Sequence, residues 1–191
     1  MAIIFVAHGL TGAGKTETAN YLSEKYHIAH YHPLRFAKAH YERLLQKPEG
    51  FLDTQEGKRY PVPYNSDHTM QEFMVAYYHF KRHWMPGFTT MNMAIELPKL
   101  LAYGNVCCVS LRNPQEIDEL LRIREEGFHH LVLLSLHRQD ARRESSDEYY
   151  QFIREKLTQH CNQIFPINNN FNLQHLHNTL DDVIRYALHY Q

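Results

Sequence analysis

The segment that most restricts this chain is "IIFVAHGLTGAGKTETANYL", residues 3–22. An apolar run, a glycine-rich turn and a Lys-Thr pair heading a helical pattern follow one another without a gap. Gly9, Leu10, Thr11, Gly12, Ala13, Gly14, Lys15 and Thr16 fit the pattern G-x-x-x-x-G-K-[ST]. Glycines let the backbone curl so that successive N–H groups point inward as an anion nest. A helix over residues 15–26 aims its positive N-terminal end at the same anion. In that arrangement Lys15 bridges the β and γ phosphates of ATP, and the Thr16 hydroxyl holds Mg²⁺. The expected nucleotide contacts are Gly9, Thr11, Gly12, Ala13, Gly14, Lys15, Thr16 and Glu17, with ATP and Mg²⁺ as cofactors.

Beyond the loop, apolar runs alternate with helical patterns. Strands are expected at 3–7, 27–31, 105–111, 129–136 and 163–167. Helices are expected at 15–26, 34–46, 69–85, 89–103, 114–127, from Asp147 onward, and at 173–189. Continuously apolar strands separated by helices imply a parallel sheet covered on both faces, here of about five strands. The fold class that follows is α/β, a P-loop NTPase three-layer α/β/α arrangement with a helical acceptor and lid region, in one domain over 1–191. In the helix at 34–46, Leu34, Ala37, Tyr41, Leu44 and Leu45 fall on one apolar side. The stretch 47–68, rich in Pro, Gly and charge, reads as a mobile surface excursion too polar for core.

Composition removes several function classes. Twenty basic residues against 21 acidic give a net charge of −1, which argues against nucleic acid as a partner. No apolar stretch approaches the ~20 residues that span a bilayer, so no membrane is expected. Met1 leads directly into a strand without a basic region or cleavage site, and the expected location is cytoplasmic. Three cysteines, with Cys107 and Cys108 adjacent in an apolar run, read as reduced core residues. His79 with His83, and His175 with His177, are close pairs, but no Cys or acidic cluster completes a four-ligand metal set.

No Asn-Lys-x-Asp tetrapeptide suggests a GTPase, and no later strand ends in adjacent acids as in AAA-type ATPases. What remains is a small nucleotide-kinase pattern, with an acceptor region at 32–90 and a lid at 138–148. The lid would carry Arg138, Arg142 and Arg143. Charge spreads over a transferring phosphoryl group, and planar guanidinium groups stabilise it while closure excludes water.

Four segments together resemble the phage-type deoxynucleoside monophosphate kinases, within the adenylate-kinase-like P-loop group. They are the loop 9–16, "HPLRFA" (32–37), "VSLRNPQEI" (109–117) and "FPINNNFNLQHLHNTLDDV" (165–183). The resemblance implies transfer of the ATP γ-phosphate to a nucleoside or deoxynucleoside monophosphate with Mg²⁺. It puts Arg35 near the acceptor phosphate and Arg112 on a strand-end arginine beside the loop. Lys15, Arg112, Arg138 and Arg142 are then the expected catalytic groups.

Departures from the family are concentrated on the acceptor side. Ser110 stands where the family has a strand-end Asp. Gln71 and Glu72 stand where an acceptor-reading arginine is expected, and Val75 where a glutamine is. Lys81, Arg82 or Arg59 can substitute, with Arg35 and Arg82 as the expected substrate-binding pair. Asp53 and Asp67 are the nearest acids on that side. Tyr77, Tyr78, Phe80 and Trp84 read as helical core rather than as a base-stacking site. Three readings stay open: a nucleoside monophosphate kinase, a P-loop kinase for another small metabolite, and a nucleotide-binding regulatory protein with little catalysis. The chain is also compatible with a homodimer.

Overall fold

The computed structural model describes residues 1–63, 65–85, 87–143 and 148–189, with every side chain among them except that of Arg82. Positions 144–147 of the expected lid and the Arg82 side chain lie outside the described residues. In chain order the elements are β1 (Ile3–His8), α1 (Lys15–Tyr26), β2 (Ala29–Tyr31), α2 (Arg35–Leu44), α3 (Gln55–Arg59), β3 (Pro61–Val62), β4 (Asn65–Thr69) and α4 (Met70–Trp84). They continue as α5 (Phe88–Tyr103), β5 (Val106–Val109), α6 (Pro114–Glu126), β6 (His130–His137), α7 (Tyr150–His160), β7 (Gln163–Asn168) and α8 (Leu173–His189). The chain divides into two compact units, Met1–His32 with Asn92–Gln191, and Pro33–Met91.

The larger unit is built on a five-stranded sheet in the order β2-β5-β1-β6-β7, with every neighbouring pair parallel. Successive strand residues point to opposite faces, and both faces are buried. Ile4 and Val6 pack with Val106, Cys108, Leu131 and Leu133 under α5, α6 and α7. Ile3, Phe5 and Ala7 pack with Cys107, Val109, Val132 and Leu134 under α1 and α8. Two cores sharing one sheet explain why these strands read as unbroken apolar runs rather than alternating ones. Cys107 and Cys108 are wholly buried, and burial pushes the Cys107 thiol up to about 12 and Cys108 upward as well. Neither thiol forms a reactive thiolate under those conditions. Among the described residues no helix is long and apolar enough to cross a membrane.

Some element ends differ from the sequence expectation. The second strand begins at Ala29 rather than at 27, because His27 (φ 55°) ends α1 in that conformation. The helix expected from Asp147 is seen from Tyr150, and Asp147 itself is outside the described residues.

The unit Pro33–Met91 overturns one expectation. Residues 47–68 are not simply a polar excursion: Phe51 and Leu52 are buried with Met70 and form a small core of their own. The reason lies in Glu42, which is itself buried on α2. Its carboxylate accepts hydrogen bonds from the backbone N–H of Leu52 (2.8 Å) and of Gly50 (3.1 Å). That pair of bonds folds the polar stretch back over two apolar side chains. The apolar side expected for α2 is corrected in the same way, since Leu44 is 65% exposed while Glu42 is inside. Strands β3 and β4 pair antiparallel. Helix α4 opens with a capping box between Thr69 and Glu72. Of its aromatic residues Tyr78 is core, whereas Phe80 and Trp84 are exposed, so the core reading holds only in part.

Candidate functional site

The loop between β1 and α1 is shaped by what its glycines permit. A Cβ at Gly9 would lie 2.7 Å from the Leu136 carbonyl oxygen and 2.9 Å from the Ala13 Cβ. Gly12 (φ 89°) and Gly14 (φ 100°) occupy the left-handed region that glycine enters without strain. Gly14 caps α1 without any side-chain hydrogen bond, so the first-turn N–H groups of α1 have no side-chain cap. A helix end of that kind accepts an anion. Lys15 Nζ donates to the carbonyls of Gly9 (2.7 Å) and Leu10 (2.9 Å), which curls the side chain over the loop.

Two distant segments brace the loop. Asn169, just after β7, donates from Nδ2 to the Ala13 carbonyl (3.0 Å), and its N–H bonds the His137 carbonyl (2.8 Å). Arg142 forms an isolated antiparallel bridge with Thr11, its N–H donating to the Thr11 carbonyl (3.1 Å). Asn169 falls in one of the four segments that carry the family resemblance, although its spacing gives no hint of a contact with Ala13.

Beside the loop lies an open cleft. Lys15, Arg112, Ser110, His8 and Tyr150 face it over an apolar floor that includes Val6 and Ile153. Arg112 and Ser110 reach it because they follow β5, at the C-terminal end of the parallel strands where open α/β sheets bind ligands. The Arg112 N–H donates to Glu116 Oε2 (2.7 Å), anchoring this turn to the capping box of α6. Ser110 is left-handed (φ 57°). The His8 ring stacks on Tyr150 with centroids 4.7 Å apart and an interplanar angle of 12°. Sequence reasoning missed both rings: His8 directly precedes the first loop glycine, whereas nothing local marks Tyr150.

The remaining expected residues are placed as follows. Arg138 pairs with Asp140 through Nε (2.6 Å) and through the terminal guanidinium nitrogen (3.0 Å). Arg142 has an exposed side chain, and its visible contribution to the loop is through the backbone. The Arg143 guanidinium reaches the Glu148 carbonyl (3.4 Å). Glu17 meets His177 Nε2 at 3.1 Å, and that imidazole stacks on Tyr21. In the unit Pro33–Met91, Arg35 pairs with Glu49 (3.2 Å), Asp53 pairs with Lys38, and Asp67 lies on exposed β4.

Thr16 sits in the first turn of α1, directly after Lys15. Mg²⁺ keeps several waters and takes one or two protein oxygens plus phosphate oxygens, so a single hydroxyl at this turn suits it. The Ser110 hydroxyl on the cleft wall is of the same kind. Among the described residues no set of three His, Cys, Asp or Glu side chains is placed to hold a metal ion.

Strand order, the glycine loop opening α1 and the helices on both faces define a P-loop α/β/α protein. No family model matches the chain, and no curated protein matches it in sequence. Among solved structures it is similar to shikimate kinase from Acinetobacter baumannii in complex with shikimate (TM-score 0.48, 10% identity, 100% of this chain and 96% of that one). It is also similar to shikimate kinase from Bacteroides thetaiotaomicron (0.44, 13%, 97% and 98%) and to dephospho-CoA kinase from Campylobacter jejuni (0.46, 10%, 97% and 96%).

Proposed function

We propose that this chain transfers the γ-phosphoryl group of ATP to a small acceptor seated in the cleft beside Lys15 and Arg112. The observation that carries this reading is the loop itself, with two left-handed glycines, an uncapped helix end and a lysine folded over it. Thr16 would hold Mg²⁺ together with the nucleotide, and the ion would supply neutralising charge to the transferring group. The chain's residues do the rest. Loop N–H groups fix the donor phosphates, and Lys15 exchanges the Gly9 and Leu10 carbonyls for phosphate oxygens. Arg112 then stands on the cleft wall where charge develops during transfer.

Two acceptor classes follow from the sequence. A nucleoside or deoxynucleoside monophosphate is what the family resemblance implies. Another small metabolite is supported by a specific contact: Arg35, expected at an acceptor phosphate, is paired with Glu49. The test is ATP consumption over an acceptor panel, with Lys15→Ala alongside. Lys15→Ala is expected to reduce turnover by about 10²–10³-fold, the usual loss for one preorganised donor to a transition-state oxygen. Turnover in that variant equal to the wild type would sink the proposal. A rise in thermal midpoint with ATP but no turnover on any acceptor would leave the regulatory reading instead.

A further inference from the structure

We infer that His8 takes the proton of an acceptor hydroxyl, so that the cleft makes a phosphate ester rather than a phosphoanhydride. The inference rests on the phosphoryl-transfer reading and deepens it by naming the acceptor class. His8 is 6% exposed, directly precedes Gly9, and shares the cleft with Lys15, Ser110, Arg112 and Tyr150. Among the described residues that line the cleft there is no carboxylate. Among the described residues, the charged and titratable groups that line the cleft with His8 are Lys15 from α1, Arg112 after β5 and Tyr150 from α7. A lysine or arginine in its charged form cannot accept a proton, and a phenol or a serine hydroxyl is far too weak a base at neutral pH. Imidazole is the side chain that does so in that range.

The two acceptor classes make opposite demands. A phosphate monoester arrives already ionised, with about −1.5 to −2 charges at pH 7, and needs cations rather than a base. Among the described residues the cleft lining holds two cations, and with Lys15 on the donor phosphates Arg112 is the one that remains there for a second dianion. A hydroxyl brings no charge but has a proton to lose. As the acceptor oxygen bonds to the γ phosphorus, the bond from that phosphorus to the β,γ-bridging oxygen breaks, and its electron pair leaves with ADP. The hydroxyl proton passes to an imidazole nitrogen of His8 and from there to water. Tyr150, lying nearly parallel to the ring, fixes its plane and presents a π face that favours the imidazolium formed in this step.

The experiment uses the full chain with Mg²⁺ and ATP and reads the product by ³¹P NMR. One panel holds hydroxyl compounds without phosphate (nucleosides, sugars and hydroxy acids), and the other holds nucleoside and deoxynucleoside monophosphates. A monoester product is expected. His8→Asn is expected to lower kcat about 100-fold with KM near the wild-type value. It should also remove the acid limb of the kcat/KM profile and leave the Kd for a fluorescent ADP analogue within twofold. If His8→Asn does not fold, His8→Gln takes its place, and ring resonances of isotopically labelled histidine in the wild type report whether His8 titrates and responds to acceptor. A phosphoanhydride product overturns the inference while leaving phosphoryl transfer standing. An unchanged pH profile at wild-type kcat in the folded variant, or a His8 ring indifferent to pH and acceptor, also overturns it. Failure to bind ATP, or binding without transfer to either panel, overturns the phosphoryl-transfer reading and the inference with it.

Discussion

Gly9 sits where β1 gives way to the loop, and its surroundings leave no room for a methyl group. The obstructing atoms are a backbone oxygen in β6 and the Cβ of Ala13, neither of which is the far end of a flexible side chain. Gly9→Ala is therefore expected to shift the loop or β6 and to cost about 1–3 kcal/mol, the usual price of overpacking. Gly87→Ala is the control: a Cβ there meets open space, and Gly87, like Gly9, lies outside the left-handed region, so neither a clash nor left-handed strain is added. Denaturant unfolding of both variants checks this, and a Gly9→Ala variant no less stable than Gly87→Ala would refute it. Glycine spacing is what made the loop legible in the sequence, because the chemistry of eight consecutive residues is local. The rest of the site is not local. His8 meets Tyr150 and Asn169 meets Ala13 across more than 140 positions, and no pattern within either segment encodes the encounter.

At the scale of elements, α1 and α8 are joined through one carboxylate. Asp181 accepts from Tyr21 (2.6 Å), Tyr26 (2.7 Å) and Lys25 (2.7 Å). Burial pushes its carboxyl up, but the hydrogen bonds from Lys25, Tyr21 and Tyr26 outweigh that and hold it at about 2. An unfolded Asp titrates near 3.9, so the folded pKa lies below the unfolded one. The stabilisation is then fully present above about pH 4 and is lost as pH falls from there through about 2. Asp181→Asn is expected to be less stable at pH 7 and to lose less stability between pH 5 and 2 than the wild type. Urea unfolding across that range decides the matter, and parallel pH curves for the two proteins would contradict the assignment. Such cross-element contacts were invisible in the sequence, as was the buried carboxylate of Glu42. Helical periodicity placed α2 correctly, yet it put Leu44 inside and said nothing of Glu42, because a residue's partners in the following loop decide which polar group can be buried. The sheet was legible for the opposite reason: strands buried on both faces advertise themselves as unbroken apolar runs, as at 3–7, 106–109 and 131–134.

For the molecule as a whole, the relevant fact is that its hydrophobic clusters divide between two units. The sheet cores lie in Met1–His32 with Asn92–Gln191, whereas the clusters around Met74 and around Phe51 lie in Pro33–Met91. Every residue of the glycine loop 9–16 belongs to the first. Binding to the native state alone stabilises by linkage, about 2.7 kcal/mol at a hundred times Kd. In a chain of this length each kcal/mol moves the midpoint by about 2–4 °C, so saturating ATP is expected to raise it by about 5–10 °C. Met74→Ala, which empties part of the smaller unit's core, is expected to cost about 2–5 kcal/mol. Hydrogen exchange should place that loss within Pro33–Met91, while the Kd for ATP stays within twofold of the wild type. Lys15→Ala should do the reverse, leaving exchange in Pro33–Met91 unchanged and abolishing the ATP-dependent rise. A Met74→Ala variant that loses ATP affinity tenfold would show that the loop depends on the smaller unit's core, contrary to the division of the clusters.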